Sequence, residues 1–89
     1  MNAPTRKQEL GVVESEYRAV VLDLDRLDDP PLILTDSAAA VWWHVDGRNS
    51  EQDIVRKVAR MFGVRGGEIA DEVSEFLEDL ASRDLIARD

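Results

Sequence analysis

Apolar residues in this chain fall first into short aliphatic runs with imperfect alternation and then into stripes of helical spacing, and the change from one to the other divides it into a strand region and a helix region. Leu10 to Val13 and Arg18 to Leu24 (RAVVLDL) are runs of aliphatic and β-branched residues, the composition of strands. The polar ESEY between them has hairpin length, so the two runs are expected to pair antiparallel. The acidic DRLDDPP interrupts the chain before a third run, Leu32-Ile33-Leu34-Thr35. Pro30 and Pro31 lead into it, and proline has no backbone N–H for a ladder, so the pair suits an edge strand or a strand's first residue and argues against a central strand.

From Thr35 onward the period is that of a helix. Thr35 or Asp36 is the expected N-cap of a helix whose stripe is Ala38, Val41, Trp42 and Val45 and which stops at Asp46-Gly47. Ser50 and Asp53 have the spacing of a capping box, and Ile54, Val58, Met61 and Phe62 line a second helix ending at Gly63. A third helix lies within GGEIADEVSEFLEDLASRDL, with Ile69, Val73, Phe76, Leu77 and Leu80 on one arc. The expected fold class is therefore α+β: a three-stranded antiparallel sheet followed by three helices. Residues 1–8 are expected to be a flexible N-terminus, and residues 9–89 a single domain.

Composition narrows what such a domain does. A chain of 89 residues buries only roughly 60% of its unfolded surface and leaves little room for an enclosed active site. It contains no cysteine, which excludes disulfides, thiolate zinc sites and cysteine nucleophiles. The start, MNAPTRKQELG, lacks the apolar run of a signal peptide, and no stretch is long and apolar enough to span a membrane, so the expected setting is cytoplasmic. The net charge of −8 repels phosphate backbones and anionic lipid.

Candidate chemistry is sparse. His44 is the only histidine. Without cysteine or a second histidine it builds no zinc site of the usual kind, and no serine or carboxylate stands at a spacing that makes it a catalytic partner. It reads as a surface or capping residue. Trp42 and Trp43 are adjacent, so a helix points them about 100° apart; Trp42 joins the apolar stripe, and Trp43 is expected to pack on the sheet or the N-terminal segment. The expectation is no catalytic residue, no metal, no cofactor and no enzyme activity.

The third helix has the most informative charge pattern. Glu68, Asp71, Glu72, Glu75, Glu78 and Asp79 occur between Gly66 and Ser82 with no basic residue among them. Glu72, Glu75 and Asp79 fall together on the flank beside Phe76. Such a flank reads either as a solvated face or as a docking surface for a basic ligand.

The segment LTDSAAAVWWHVDGRNSEQDIVRKVARMFGV resembles the motif region of PqqD-like proteins, the recognition elements for ribosomally made precursor peptides. These combine a short strand, an Ala-rich helix with a central aromatic, an Asp-Gly turn and a polar-start helix. GGEIADEVSEFLEDLASRDLI resembles their last helix, and the likeness extends over Arg18 to Ile86.

That resemblance implies a winged-helix-like, non-catalytic domain that takes up the leader of a precursor peptide as an added antiparallel strand on the third strand. Leader side chains would lie in the groove beside the last helix. The implied peptide-binding residues are Leu32, Ile33, Leu34 and Thr35 on the edge, and Glu72, Val73, Glu75, Phe76, Asp79 and Leu80 on the helix. Amides of Ile33 and Leu34 are expected to gain partners, with alternate residues responding most.

A monomer of this kind resembles the stand-alone recognition proteins of lasso-peptide clusters, whose partners are a leader peptidase and a macrolactam cyclase. The alternative is a PqqD-type chaperone for a radical S-adenosylmethionine enzyme in quinone-cofactor biosynthesis. A winged-helix DNA-binding regulator is the rival from another class. It would place an acidic third helix in the groove, while Arg56, Lys57, Arg60 and Arg65 cluster on and after the second helix.

Overall fold

The computed structural model describes residues 3–88. After a short first strand, β1 (Thr5–Arg6), the larger sheet begins with the expected hairpin: β2 (Leu10–Glu14) pairs antiparallel with β3 (Arg18–Asp23), with Val12 opposite Val21 and Val13 opposite Val20. The proline-led run forms β4 (Leu32–Thr35), antiparallel to β3, with Val20 opposite Ile33 and Ala19 opposite Leu34. In the sheet order β2-β3-β4 both β2 and β4 are edge strands, and no other described residue pairs with the outer side of β4.

Three helices follow: α1 (Asp36–Trp43), α2 (Glu51–Phe62) and α3 (Gly66–Ser82). The expected capping box closes on α2: the Ser50 hydroxyl accepts the Asp53 N–H at 3.1 Å, and the Asp53 carboxylate accepts the Ser50 N–H at 3.0 Å. Gly63 ends α2 in the left-handed region at φ 66°, where a glycine avoids the penalty of a Cβ. Helix α1 is shorter than expected and stops at Trp43. The Asp46 carboxylate takes the N–H groups of Arg48 and Asn49, so the chain there folds as a side-chain-bonded turn instead of a further helical turn.

Ala19 and Val21 of β3 and Leu34 of β4 face the core; α1 packs on this sheet, and α2 packs on α1 and α3. Trp42, Ile54, Val58, Leu77 and Leu80 fill the centre and are fully buried. Trp43 is 41% exposed, so the expectation that it packs away holds only in part. His44 caps α1 as expected: its Nδ1 is 2.8 Å from the Ala40 carbonyl.

The sequence carries no strand signal at either end, yet β1 (Thr5–Arg6) pairs antiparallel with β5 (Ile86–Ala87) as a second, two-stranded sheet. Charge holds it in place. Arg6 makes two 2.7 Å bonds to the Glu14 carboxylate, donates to the Trp42 carbonyl at 2.8 Å and lies 4.4 Å from the centre of the Trp42 ring. Lys7 bonds both oxygens of Asp23 at 3.1 Å.

Candidate peptide-binding edge and cleft

In an antiparallel ladder each residue turns its N–H and C=O to one side, and successive residues alternate. The Asp36 N–H donates to the Tyr17 carbonyl at 2.9 Å. On the other side of β3, the Ser15 N–H donates to the Arg18 carbonyl at 2.7 Å. Stepping along the register from these two bonds, Leu32 and Leu34 turn their backbone groups to β3, while Ile33 and Thr35 turn theirs outward. Only one of the two expected amides, Ile33, is free; the Leu34 N–H faces the ladder and Thr35 takes its place. Side chains alternate across the other axis: Leu34 is buried, and Ile33 is 61% exposed.

Asp36 turns β4 sharply into α1, with a positive φ of 55° that aspartate tolerates better than most residues. This corner carries Ser37 and Ala38 to the wall of a cleft of about 350 Å³. Val58 and Phe62 of α2 form a second wall, and Ile69, Val73 and Phe76 of α3 form the third. Tyr17, in the hairpin turn, sets its ring edge-on to Phe62 with centroids 5.9 Å apart, which backs that wall. A smaller hollow of about 60 Å³ lies between Pro30 and Leu32 on one side and Arg83 and Leu85 on the other. Helix α3 therefore runs antiparallel to β4, its first half beside the end of the strand and its last residues beside the start.

The structure brings Glu72, Val73 and Phe76 to the cleft and leaves Glu75, Asp79 and Leu80 outside its lining. Leu80 is fully buried in the core. Glu72 is the one ionisable side chain in the lining, and it forms no ion pair among the described residues. Asp79, expected as part of the same acidic rim, is engaged by Arg83 at 3.2 Å, which removes much of its pull on a passing cation. Glu75 is exposed beside Phe76.

Several lining residues escaped sequence reasoning. Val58 and Phe62 stand at i and i+4 of the α2 stripe and read as ordinary core, and Val64, just past the Gly63 stop, joins the lining with no sequence expectation attached to it. The one available signal was that Phe62 closes the stripe directly before the Gly63 stop; it is 38% exposed. No group of three or more histidine, aspartate or glutamate side chains among the described residues is arranged to hold a metal ion. No helix among the described residues is long and apolar enough to cross a membrane.

No curated protein matches the chain. The solved structure of TbiB1 in complex with the TbiA(beta) leader peptide is similar to it, with a TM-score of 0.78 and 16% identity over 92% of this chain and 93% of that one. At that identity the likeness concerns the fold. Residues 18–86 match the family model described as coenzyme PQQ synthesis protein D (PqqD), a span that takes in the edge strand, the cleft and all three helices. On that match the chain belongs to the PqqD family.

Proposed function

We propose that this protein is a non-catalytic recognition domain that binds the leader of a ribosomally synthesised precursor peptide and hands it to processing enzymes. The leader adds to β4 as a fourth, antiparallel strand. The observation that carries this reading is Ile33, whose N–H and C=O both face away from the sheet, on an edge that ends at an apolar cleft. Strand addition draws affinity from main-chain bonds and specificity from side-chain pockets. The pair of prolines and the four-residue length of β4 limit pairing with arbitrary strands.

Polarity follows from the packing. A strand antiparallel to β4 runs parallel to α3, so the leader enters at the cleft of Phe62 and Phe76 and leaves beside Pro30 and Arg83. The segment to be modified emerges at that second end, where an enzyme would have to reach it. Val73 and Phe76 receive leader side chains, Glu72 attracts a leader cation, and Leu34 and Leu80 support the two walls from within.

The setting we assign is lasso-peptide biosynthesis in the cytoplasm, with a leader peptidase and a macrolactam cyclase as partners of a monomeric, winged-helix-like protein. TbiB1, a neighbour in fold, was solved with a leader peptide. The second reading is service to a radical S-adenosylmethionine enzyme in quinone-cofactor biosynthesis, favoured by the description of the matching family. DNA binding is disfavoured because α3 carries no lysine or arginine.

Titration calorimetry with synthetic leaders of the lasso and quinone-cofactor classes, joined to amide hydrogen exchange, tests the proposal. A lysine-bearing lasso leader should bind and protect Ile33 and Thr35. Binding of neither class, or binding without protection of those amides, would overturn it.

A further inference from the structure

The outer face of the sheet holds an apolar row that no other described element covers. Val13, Val20 and Ile33 stand directly opposite one another across β2, β3 and β4. Val13 is 78% exposed, and Ile33 at the end of the row is exposed as well. Leu22 and Leu24 lie over Gly11 beside the row; a Cβ on that glycine would stand 3.9 Å from Leu22 Cβ and 3.6 Å from Leu24 Cδ2. In a protein of net charge −8 this is a concentrated apolar surface, and it runs up to the free edge of β4 and stops there.

We propose that this row is a specificity element: the peptide residue paired with Ile33 is apolar, β-branched or aromatic, and its side chain becomes the fourth member of the row on the outer face. The inference rests on strand addition to β4. Directly opposite residues of an antiparallel pair project to the same face with Cβ atoms about 4.5–5.5 Å apart, and apolar cross-strand pairs are favourable. The outward N–H and C=O of Ile33 hold one peptide residue in that opposite position. Its two neighbours in the peptide then point to the α3 side, toward Val73 and Phe76. The ligand is thereby read on both faces, by the cleft through alternate residues and by the row through the residue between them.

A charge at that position would stay hydrated on the uncovered face but forfeit the apolar cross-strand contact with Ile33. A second copy of this chain is a weaker occupant. Pairing two β4 edges would bring together two molecules of the same large negative charge.

The test uses a phage-displayed library of random 12-residue peptides, selected separately on the wild type and on Ile33→Lys. Because Ile33 is exposed, the variant should keep its fold, which thermal melting verifies. Wild-type selection should enrich one apolar position flanked by groove-facing residues. Selection on Ile33→Lys should convert that same position to Asp or Glu. Placing Lys there in a wild-type binder should weaken binding about two- to fivefold. Selected peptides that protect Ile33 and Thr35 but show no position following the Ile33→Lys change would overturn the row's role and leave strand addition standing. Peptides that bind without protecting those amides would overturn strand addition itself. A peptide-free dimer that Ile33→Lys abolishes in sedimentation would assign the row to self-association and overturn the proposal.

Discussion

The Asp36 N–H donates to the Tyr17 carbonyl at 2.9 Å, and this bond at the corner between β4 and α1 decides which amides of the edge strand face outward. It also ties the hairpin turn to the start of α1, so Tyr17 stands against Phe62 and the cleft wall is held by the same contact. Edge and cleft are thus built from one corner of the molecule.

Hydrogen exchange reads that corner directly. On addition of a leader peptide, Ile33 and Thr35 should slow strongly, while Leu34, already bonded to Ala19, should change little. Mass spectrometry with fragmentation, or heteronuclear NMR, separates the three amides. Equal slowing of Leu34 would mean that the peptide does not lie along the edge.

The two acids at the ends of the expected rim should behave differently. Glu72→Lys places a cation in the cleft lining and should slow association of a lysine-bearing leader, with a flatter salt dependence of the rate. Asp79→Lys breaks the bond to Arg83 but removes little free charge, so its effect on association should be smaller. Both are exposed, and melting should shift by no more than about 0.5 kcal/mol in either. Stopped-flow fluorescence at low and moderate salt distinguishes them; equal rates for Glu72→Lys and wild type would make the acidic flank a solvated face.

Acid should loosen the attachment of β1. Burial works to raise the Asp23 carboxyl, but the Asp25 N–H, the Lys7 ammonium and Arg26 outweigh it and hold it below the usual carboxylate range. The stability it supplies is complete above the unfolded value of about 3.9 and is lost as pH falls through the lower native value. Lys7 is raised, chiefly by its bond to Asp23, so its share is complete below about 10.4 and is lost as pH rises through the raised native value. The melting temperature should stay level between these limits and drop below about pH 4. Asp23→Asn should lower the level region and flatten the acid drop, leaving the part due to Asp46 and Asp53, whose carboxyls are also held low. Parallel acid curves for wild type and variant would rule out this role for Asp23.

Two glycines should respond with opposite signs. A Cβ on Gly67, in the first turn of α3, meets nothing within 4 Å, and Gly67→Ala should stabilise by about 0.5–1 kcal/mol. Gly63→Ala also meets open space, but its φ of 66° penalises any Cβ by about 1–2 kcal/mol. Thermal denaturation should raise Tm for the first and lower it for the second. If pre-ordering this end of α3 assists the cleft wall formed by Ile69 and Phe76, Gly67→Ala should bind leader at least as tightly as wild type.

The sequence by itself determined what local chemistry controls. Ser50, Asp53 and Gly63 set the ends of α2, because caps and stops are contacts within a few residues. The prolines before Leu32 argued against a central strand, since a missing N–H is a property of the residue and not of its neighbours. Val73 and Phe76 were legible as an apolar arc beside Glu72, though not which of them would stay accessible. The tertiary structure decided the rest. The outward turn of Thr35 in place of Leu34 depends on the phase of the β3–β4 ladder, which a period-2 pattern leaves open until one bond is located. Val58 and Phe62 became cleft wall only because α2, α3 and the β4 corner diverge there. Pairing of β1 with β5 joins the two ends of the described chain, Thr5 opposite Ala87 and Arg6 opposite Ile86, and no local pattern encodes a contact between segments so far apart; Arg6 with Glu14 and Lys7 with Asp23 then tie the first of those ends to the larger sheet.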